Sequence, residues 1–164
     1  MDRQISKALE DELTLSFYKH LGFFDEEESI EIVQHVLNRT IYLKKTCTHY
    51  VKEIYKDLKN HPVKHMPKIL EVIESDDKLI VIEEYISGRT LADIIAEKKE
   101  RGKLFSDKET ISYTLELISI LKELHSRKPS IIHRDIKPSN ILISSDDTLW
   151  LIDLDAAKLE DRQK

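Results

Sequence analysis

The sequence predicts an α+β fold, with antiparallel strands in the first half of the chain and mainly helices in the second. Between residues 15 and 43, apolar and polar residues alternate with period two, which is typical of half-buried strands in a β-meander. Residues 106–127 instead repeat apolar side chains at helical spacing, behind a capping box formed by Ser106 and Glu109. The 164 residues suffice to bury a core of ordinary domain size.

Composition and charge narrow the function classes. The net charge of −5 argues against a general nucleic-acid binder, which would carry a basic excess. The single cysteine, Cys47, excludes an internal disulfide and favours a reducing, cytoplasmic location. Because no motif surrounds Cys47, we expect a small β-strand residue rather than a nucleophile. We also predict no membrane segment, since the sequence contains no long apolar run.

The first half of the chain is predicted to contain two helices and five strands. Apolar residues at helical spacing predict the helices, at residues 1–14 and about 50–58. Period-two segments predict the strands, at residues 15–21, 30–32, 41–45, 68–73 and 79–85. The polar turn Ser75-Asp76-Asp77-Lys78 joins the last two strands.

The second half carries clear helix boundaries. Thr90 is predicted to cap a helix over residues 91–99, which Gly102 ends. The capping box at Ser106 opens a long helix that ends near Arg127 and has apolar residues on more than one face. Two paired strands, at residues 141–143 and 149–152, are predicted to follow.

The stretch I-I-H-R-D-I-K-P-S-N, from Ile131 to Asn140, carries the strongest chemical signal. It places a carboxylate (Asp135), an ammonium (Lys137) and an amide (Asn140) in one loop between apolar runs. Phosphoryl transfer needs these groups, because a carboxylate orients the attacking hydroxyl, a cation neutralises the phosphoryl charge and an amide oxygen holds a metal. The alternative is an ordinary polar loop with solvated charges.

This stretch resembles the catalytic loop H-R-D-x-K-P-x-N of eukaryotic-type (bacterial Ser/Thr) protein kinases, with every position filled. Asp153 ends an apolar strand eighteen positions after Asp135, the separation that the family uses for its second metal-binding aspartate. The resemblance implies ATP and Mg²⁺ as cofactors, with Asp135 and Lys137 as catalytic residues and Asn140 and Asp153 as metal ligands. Lys137 also implies that the partner is a protein substrate phosphorylated on Ser or Thr.

The resemblance extends to the first half and implies further nucleotide contacts. Residues 41–45 resemble the strand whose lysine binds the α- and β-phosphates. Strand alternation favours Lys45 for this role, and Lys44 stays open as the alternative. Glu53 matches the helix glutamate that pairs with this lysine, although a solvated pair with Lys56 is equally compatible. Glu84 and Ile86 resemble the hinge whose backbone binds adenine.

Three departures from the family pattern also lead to expectations. Residues 23–29 replace the glycine-rich turn, so we expect a solvated hairpin tip and weak Mg·ATP binding. Asp155 stands in place of the glycine of the D-F-G motif. Glu83 occupies a position that is usually apolar, so its buried carboxylate should need a partner.

Gly88 is predicted to let the chain turn out of the hinge.

The sequence thus predicts a kinase-like small lobe over residues 1–86 and a partial, mainly helical large lobe over residues 87–164. The resemblance covers residues 15–158 and implies a fold truncated after the D-L-D motif that begins at Asp153. The function expected is a serine/threonine protein kinase domain. The alternative is a non-catalytic pseudokinase that serves as an interaction module.

Overall fold

The computed structural model describes residues 2–26 and 28–160 of the chain. These residues form two compact units, the first from residues 2–48 with Ile69–Tyr85 and the second from His49–Lys68 with residues 86–160. The change of unit after Tyr85 lies one residue before the predicted lobe boundary. The segment His49–Lys68, predicted with the small lobe, groups with the second unit.

The first unit is built on one antiparallel sheet, which confirms the predicted α+β class. Its strands lie in the order β1-β2-β3-β5-β4, so the chain runs as a meander through three strands and then adds a hairpin. The elements are α1 (Asp2–Ser16), β1 (Tyr18–Phe23), β2 (Ile30–His35), β3 (Ile41–Cys47), β4 (Ile69–Ser75) and β5 (Lys78–Glu84). Cys47 is buried at the end of β3, as predicted for a small strand residue.

The strand predicted to start at residue 15 starts at Tyr18 instead, because α1 continues to Ser16. The Ser16 hydroxyl donates to the Leu13 carbonyl at 2.6 Å, and the Phe17 N–H donates to the Thr14 carbonyl at 3.2 Å. Short apolar runs fit a helical and a strand period equally well, which explains the error.

Among the described residues, the second unit contains three helices and six short elements. The helices are α2 (Lys52–Asn60), α3 (Leu91–Glu100) and α4 (Asp107–His125). The strands are β6 (Gly88–Thr90), β7 (Ser130–Ile132), β8 (Ile141–Ser144), β9 (Leu149–Leu151) and β10 (Lys158–Glu160), and a 3₁₀ turn covers Pro138–Asn140. Strand β8 lies between β6 and β9, while β10 pairs with β7.

The predicted helix caps are confirmed. The Thr90 hydroxyl accepts the Asp93 N–H at 3.1 Å, and both halves of the capping box between Ser106 and Glu109 are formed. Gly102 adopts φ 60° after α3, and its N–H donates to the Lys99 carbonyl at 3.1 Å. These contacts satisfy backbone groups that a helix end would otherwise leave open.

Helix α4 buries one face and exposes another. Ile120 and Leu124 are buried, and α4 packs against β7 and β9. The predicted breadth of its apolar surface is confirmed by the exposed residues Ile111, Leu115 and Ile118. No helix in the described part of the chain combines the length and apolar composition that a membrane crossing requires.

Gly88 has a different role from the one that the sequence predicts. It lies in β6 opposite Ser144 and has no positive φ, so it does not supply a turn. A Cβ atom at Gly88 would stand 2.8 Å from the carbonyl oxygen of Ile143 and 3.1 Å from its carbon. Glycine is therefore required by the close approach of two backbones.

Alanine at position 88 should therefore lower the free energy of unfolding by about 1 to 3 kcal/mol, because the strands must separate to admit the methyl group. Gly22 is the matched control, since a Cβ there would meet nothing within 4 Å. Urea unfolding of the two variants checks this difference, and equal stabilities for Gly88→Ala and Gly22→Ala would contradict it.

Candidate active site

His133 anchors the loop that follows β7. Its side chain is only 1% exposed, and its Nε2 lies 3.1 Å from the carbonyl oxygen of Ile152. The backbone N–H of Asp135 donates to His133 Nδ1 at 3.4 Å. A neutral imidazole with its proton on Nε2 satisfies both contacts. Burial lowers the pKa of His133, which keeps the ring neutral.

The Asp135 carboxylate is held from two sides. Its Oδ2 lies 2.7 Å from Lys137 Nζ and accepts a hydrogen bond from Asn140 Nδ2 at 2.9 Å. Asn140 Nδ2 also donates to the Asp135 carbonyl at 3.0 Å. The Lys137 hydrogen bond is the largest reason that the pKa of Asp135 is lowered, and the same contact raises the pKa of Lys137. The three predicted residues thus meet around one ionised carboxylate.

Asn140 connects this loop to the segment that carries Asp153. It is buried at the end of the 3₁₀ turn, where its N–H donates to the Lys137 carbonyl at 2.9 Å. Its own carbonyl accepts the Ile152 N–H at 3.0 Å. Asp153 follows directly, with φ 67°, and its Oδ1 accepts the Asp155 N–H at 3.0 Å. The two predicted metal ligands therefore belong to hydrogen-bonded segments of one unit.

The donor atoms fit a hard cation. Among the described residues, both hydrogen bonds of the Asn140 side chain start from Nδ2, which leaves its Oδ1 as a possible ligand. Asp153 adds a carboxylate, and Mg²⁺ prefers such oxygen ligands. Within the described ranges, no three His, Cys, Asp or Glu side chains cluster for a metal. The amide oxygen of Asn140 and the carboxylate of Asp153 fit Mg²⁺, which usually takes one or two protein ligands.

In the first unit, the two candidate lysines of β3 point to opposite faces of the sheet. Lys45 Nζ lies 2.7 Å from Glu83 Oε1, and these side chains are 13% and 8% exposed. Lys44 Nζ lies 2.7 Å from Glu31 Oε1, in a more exposed pair. Glu83 pairs across the sheet with Leu43, two residues before Lys45, so lysine and glutamate are diagonal neighbours on one face. Lys45 is therefore the partner that the buried Glu83 carboxylate was expected to need.

The other predicted nucleotide contacts lie in three places. Glu53 is in the first turn of α2, in the second unit, and its pairing with Lys45 stays a prediction. Glu84 is the last residue of β5, opposite Tyr42. Ile86 is half-buried just beyond that strand.

The acidic turn between β1 and β2 is closed by its own side chain. Asp25 Oδ1 accepts the Ile30 N–H at 2.9 Å, and Asp25 Oδ2 accepts the Ser29 N–H at 3.3 Å. The Ser29 hydroxyl also donates to this carboxylate and is the main reason that the pKa of Asp25 is lowered. Two backbone donors of the turn are thus bound to an internal anion.

Sequence reasoning missed three contacts that join segments of the second unit. The Tyr55 hydroxyl donates to Asp155 Oδ1 at 3.1 Å. Arg127 Nη2 donates to the His61 carbonyl at 2.8 Å, and Arg127 Nη1 lies 3.3 Å from Asp57 Oδ2. The apolar spacing of α2 already marks Tyr55 as a core residue, but no local pattern points to its partner 100 positions away.

Comparison with known proteins identifies the family. Residues 15–164 match the family model described as the protein kinase domain. The chain belongs to the protein kinase family. The predicted resemblance to this family is therefore confirmed.

Several named kinases are similar to this kinase chain. Wee1-like protein kinase 2 of Danio rerio is 38% identical over 101 residues, which cover 60% of this chain and 18% of the relative. Serine/threonine-protein kinase B of Synechocystis is 36% identical over 100 residues, or 60% of this chain and 16% of the relative. NUAK family SNF1-like kinase 1 of Mus musculus is 32% identical over 105 residues, or 64% and 15%. The matched region thus spans less than a fifth of each of these relatives.

The lowered pKa of His133 predicts that the free energy of unfolding of this chain depends on pH. Because the folded state holds the ring neutral while the unfolded state protonates near pH 6.5, stability is complete above that pH. It should fall as the pH drops through about 6.5 toward the folded pKa, by up to about 1.4 kcal/mol per pH unit. Urea unfolding between pH 5 and 8 measures this slope. His133→Gln should reduce the slope of unfolding free energy against pH by up to the contribution of one proton. An unchanged slope in that variant would contradict the conclusion that folding lowers the pKa of His133.

Proposed function

We propose that this chain carries the nucleotide- and metal-binding part of a serine/threonine protein kinase, which transfers the γ-phosphate of ATP to a protein hydroxyl. The observation that carries the proposal is the Asp135 carboxylate held by Lys137 at 2.7 Å and Asn140 at 2.9 Å. The family match and the similarity to a named serine/threonine-protein kinase support it.

Asp135 and Lys137 divide the work at the acceptor hydroxyl. Asp135 is ionised at neutral pH, and the Lys137 hydrogen bond lowers its pKa further. It therefore accepts a hydrogen bond from the Ser or Thr hydroxyl and orients it for attack. The Lys137 ammonium lies beside it and offsets negative charge on the phosphoryl group. Such chemistry depends mainly on positioning and charge compensation.

Asn140 and Asp153 are the proposed ligands of Mg²⁺. The Asn140 side chain is fixed by its two Nδ2 hydrogen bonds, which orient its Oδ1, and Asp153 supplies a carboxylate from the adjoining segment. Asn140 and Asp153 would hold the cation, which would supply positive charge to offset that of the phosphate groups.

The remaining roles concern ATP itself. We assign phosphate contact to Lys45, support of that lysine to Glu53, and adenine binding to the backbones of Glu84 and Ile86. The acidic turn contributes little to phosphate binding, because the Ser29 and Ile30 N–H groups already donate to Asp25. ATP should therefore bind weakly and depend strongly on Mg²⁺.

Thermal unfolding with Mg·ATP tests the assignment. At 100 times its dissociation constant, the ligand should stabilise the fold by about 2.7 kcal/mol, and less in proportion at lower saturation. Asp153→Asn should remove most of this gain, because the amide lacks the charge that binds Mg²⁺. Asp147→Asn is the matched control, since Asp147 is also an aspartate with positive φ but lies in the turn between β8 and β9.

Two results would reject the nucleotide site. The first is an unchanged melting temperature at millimolar Mg·ATP. The second is an equal shift in the unmodified chain and in Asp153→Asn.

A further inference from the structure

Asp155 is linked to a buried helix by a hydrogen bond that spans 100 positions of sequence. The Tyr55 hydroxyl donates to Asp155 Oδ1 at 3.1 Å, and Tyr55 is only 2% exposed. The buried ring fixes where its hydroxyl lies, so an otherwise exposed aspartate is held at a defined place. A glycine at this position, as in the D-F-G motif, could form no such bond.

The same residue also holds Asp153. The backbone N–H of Asp155 donates to Asp153 Oδ1 at 3.0 Å, in a segment where Asp153 itself has φ 67°. A left-handed conformation is uncommon outside glycine, so it needs support from surrounding contacts. Tyr55 therefore fixes the Asp155 side chain, and the Asp155 backbone fixes the Asp153 carboxylate.

Helix α2 is itself anchored, which makes Tyr55 a firm attachment point. At the end of α2, the His61 carbonyl accepts Arg127 Nη2 at 2.8 Å, and Asp57 Oδ2 lies 3.3 Å from Arg127 Nη1. Ile54 and Leu58, which lie on the same helix before and after Tyr55, are also buried. The hydroxyl thus belongs to the packed body of the second unit.

We propose that Tyr55 and Asp155 are positioning residues for Asp153 and set the affinity of this chain for Mg²⁺ in the Mg·ATP complex. The inference rests on the proposed function, in which Asp153 is a Mg²⁺ ligand. Residues that orient a metal ligand change metal affinity about 10- to 100-fold when they are removed. A purely structural bond would change the stability of the fold without changing that affinity.

The test is a Mg²⁺ titration of thermal unfolding at one high ATP concentration, together with unfolding in the absence of Mg²⁺ and ATP. Tyr55→Phe removes only the hydroxyl, and Asp155→Ala removes its acceptor. Each should raise the Mg²⁺ midpoint about tenfold. The double variant should raise it no further, because both changes break one connection. Asp155→Asn should stay close to the unmodified chain, since its amide oxygen still accepts the hydrogen bond.

Tyr113→Phe is the matched control. The Tyr113 hydroxyl donates to an Asp147 carboxylate in the same unit, so this variant loses a bond of the same type that involves neither Asp153 nor Asp155. It should leave the Mg²⁺ midpoint unchanged, whatever it does to stability in the absence of ligand.

The outcomes separate this inference from the proposed function. If Asp153→Asn abolishes the Mg·ATP response while Tyr55→Phe keeps the unmodified midpoint, the positioning role is wrong and the nucleotide site stands. If the unmodified chain does not respond to Mg·ATP, both fall. Should Tyr55→Phe fail to fold, Asp155→Ala decides alone, because position 155 is exposed.

Discussion

Lys45→Met should lower the free energy of unfolding by about 3 to 5 kcal/mol, because it leaves the Glu83 carboxylate buried without its counter-charge. Glu83 is 8% exposed at its side chain, and Lys45 Nζ lies 2.7 Å from Oε1. A carboxylate in such a place loses hydration that only an opposite charge or hydrogen bonds can replace. Chemical denaturation of the purified chain measures the loss directly.

Two further variants isolate the ion pair. Adding Glu83→Leu to Lys45→Met should restore much of the stability, since apolar residues often replace a buried pair at little cost. Lys44→Met is the matched control on the neighbouring residue. Its partner Glu31 is more exposed and also contacts His20 Nδ1 at 2.9 Å. Lys44→Met should therefore lower the free energy of unfolding by about 1 kcal/mol or less, as is typical of a surface ion pair. Equal losses for the two lysines would contradict the assignment of Lys45 to the buried face.

Asp135→Asn should reduce phosphate transfer about 10²- to 10⁴-fold in a preparation of this kinase that phosphorylates a protein substrate. Asparagine keeps the shape and can still accept the Asn140 Nδ2 hydrogen bond, but it has no charge to orient the hydroxyl or to pair with Lys137. Mg·ATP affinity should change little, because Asp135 is not among the proposed metal ligands. The turnover number and the midpoint of the Mg·ATP thermal shift, measured together, separate the two effects.

Asp147→Asn again supplies the control, and its turnover should match the unmodified kinase. A turnover for Asp135→Asn within about tenfold of the unmodified value would show that this carboxylate is not the orienting group. A parallel loss of Mg·ATP binding would instead place Asp135 among the metal ligands.

Features with a local cause could be predicted from the sequence. The Thr90 and Ser106 caps depend on residues three positions apart, and the structure forms both. The loop around Asp135 was predicted from a ten-residue stretch, and its three candidate side chains do meet. Period-two alternation also placed Lys44 and Lys45 on opposite faces of the sheet, where they pair with different glutamates. Phosphate contact by Lys45 stays a prediction.

Features that depend on distant pairing could not be predicted. The three-residue strands β6, β7 and β10 carry too little pattern to detect, and each exists because a remote segment supplies its hydrogen bonds. Gly88 looked like a turn residue because a sequence does not show the backbone of Ile143 beside it. The need of Glu83 for a partner was predictable, whereas its identity required the register between β3 and β5.

The Asp25 turn also bears on the proposed nucleotide site. A glycine-rich turn is adaptable, and it gains its order when phosphate oxygens take up its N–H groups. Here the carboxylate of Asp25 already accepts the Ser29 and Ile30 N–H groups, so these two donors are satisfied before any ligand arrives. We therefore expect the proposed site to discriminate ligands through the adenine end and the cation rather than through this turn. Compounds that imitate a triphosphate should gain little from the Ser29 and Ile30 donors, whereas those that imitate a base or bind through the metal do not need them.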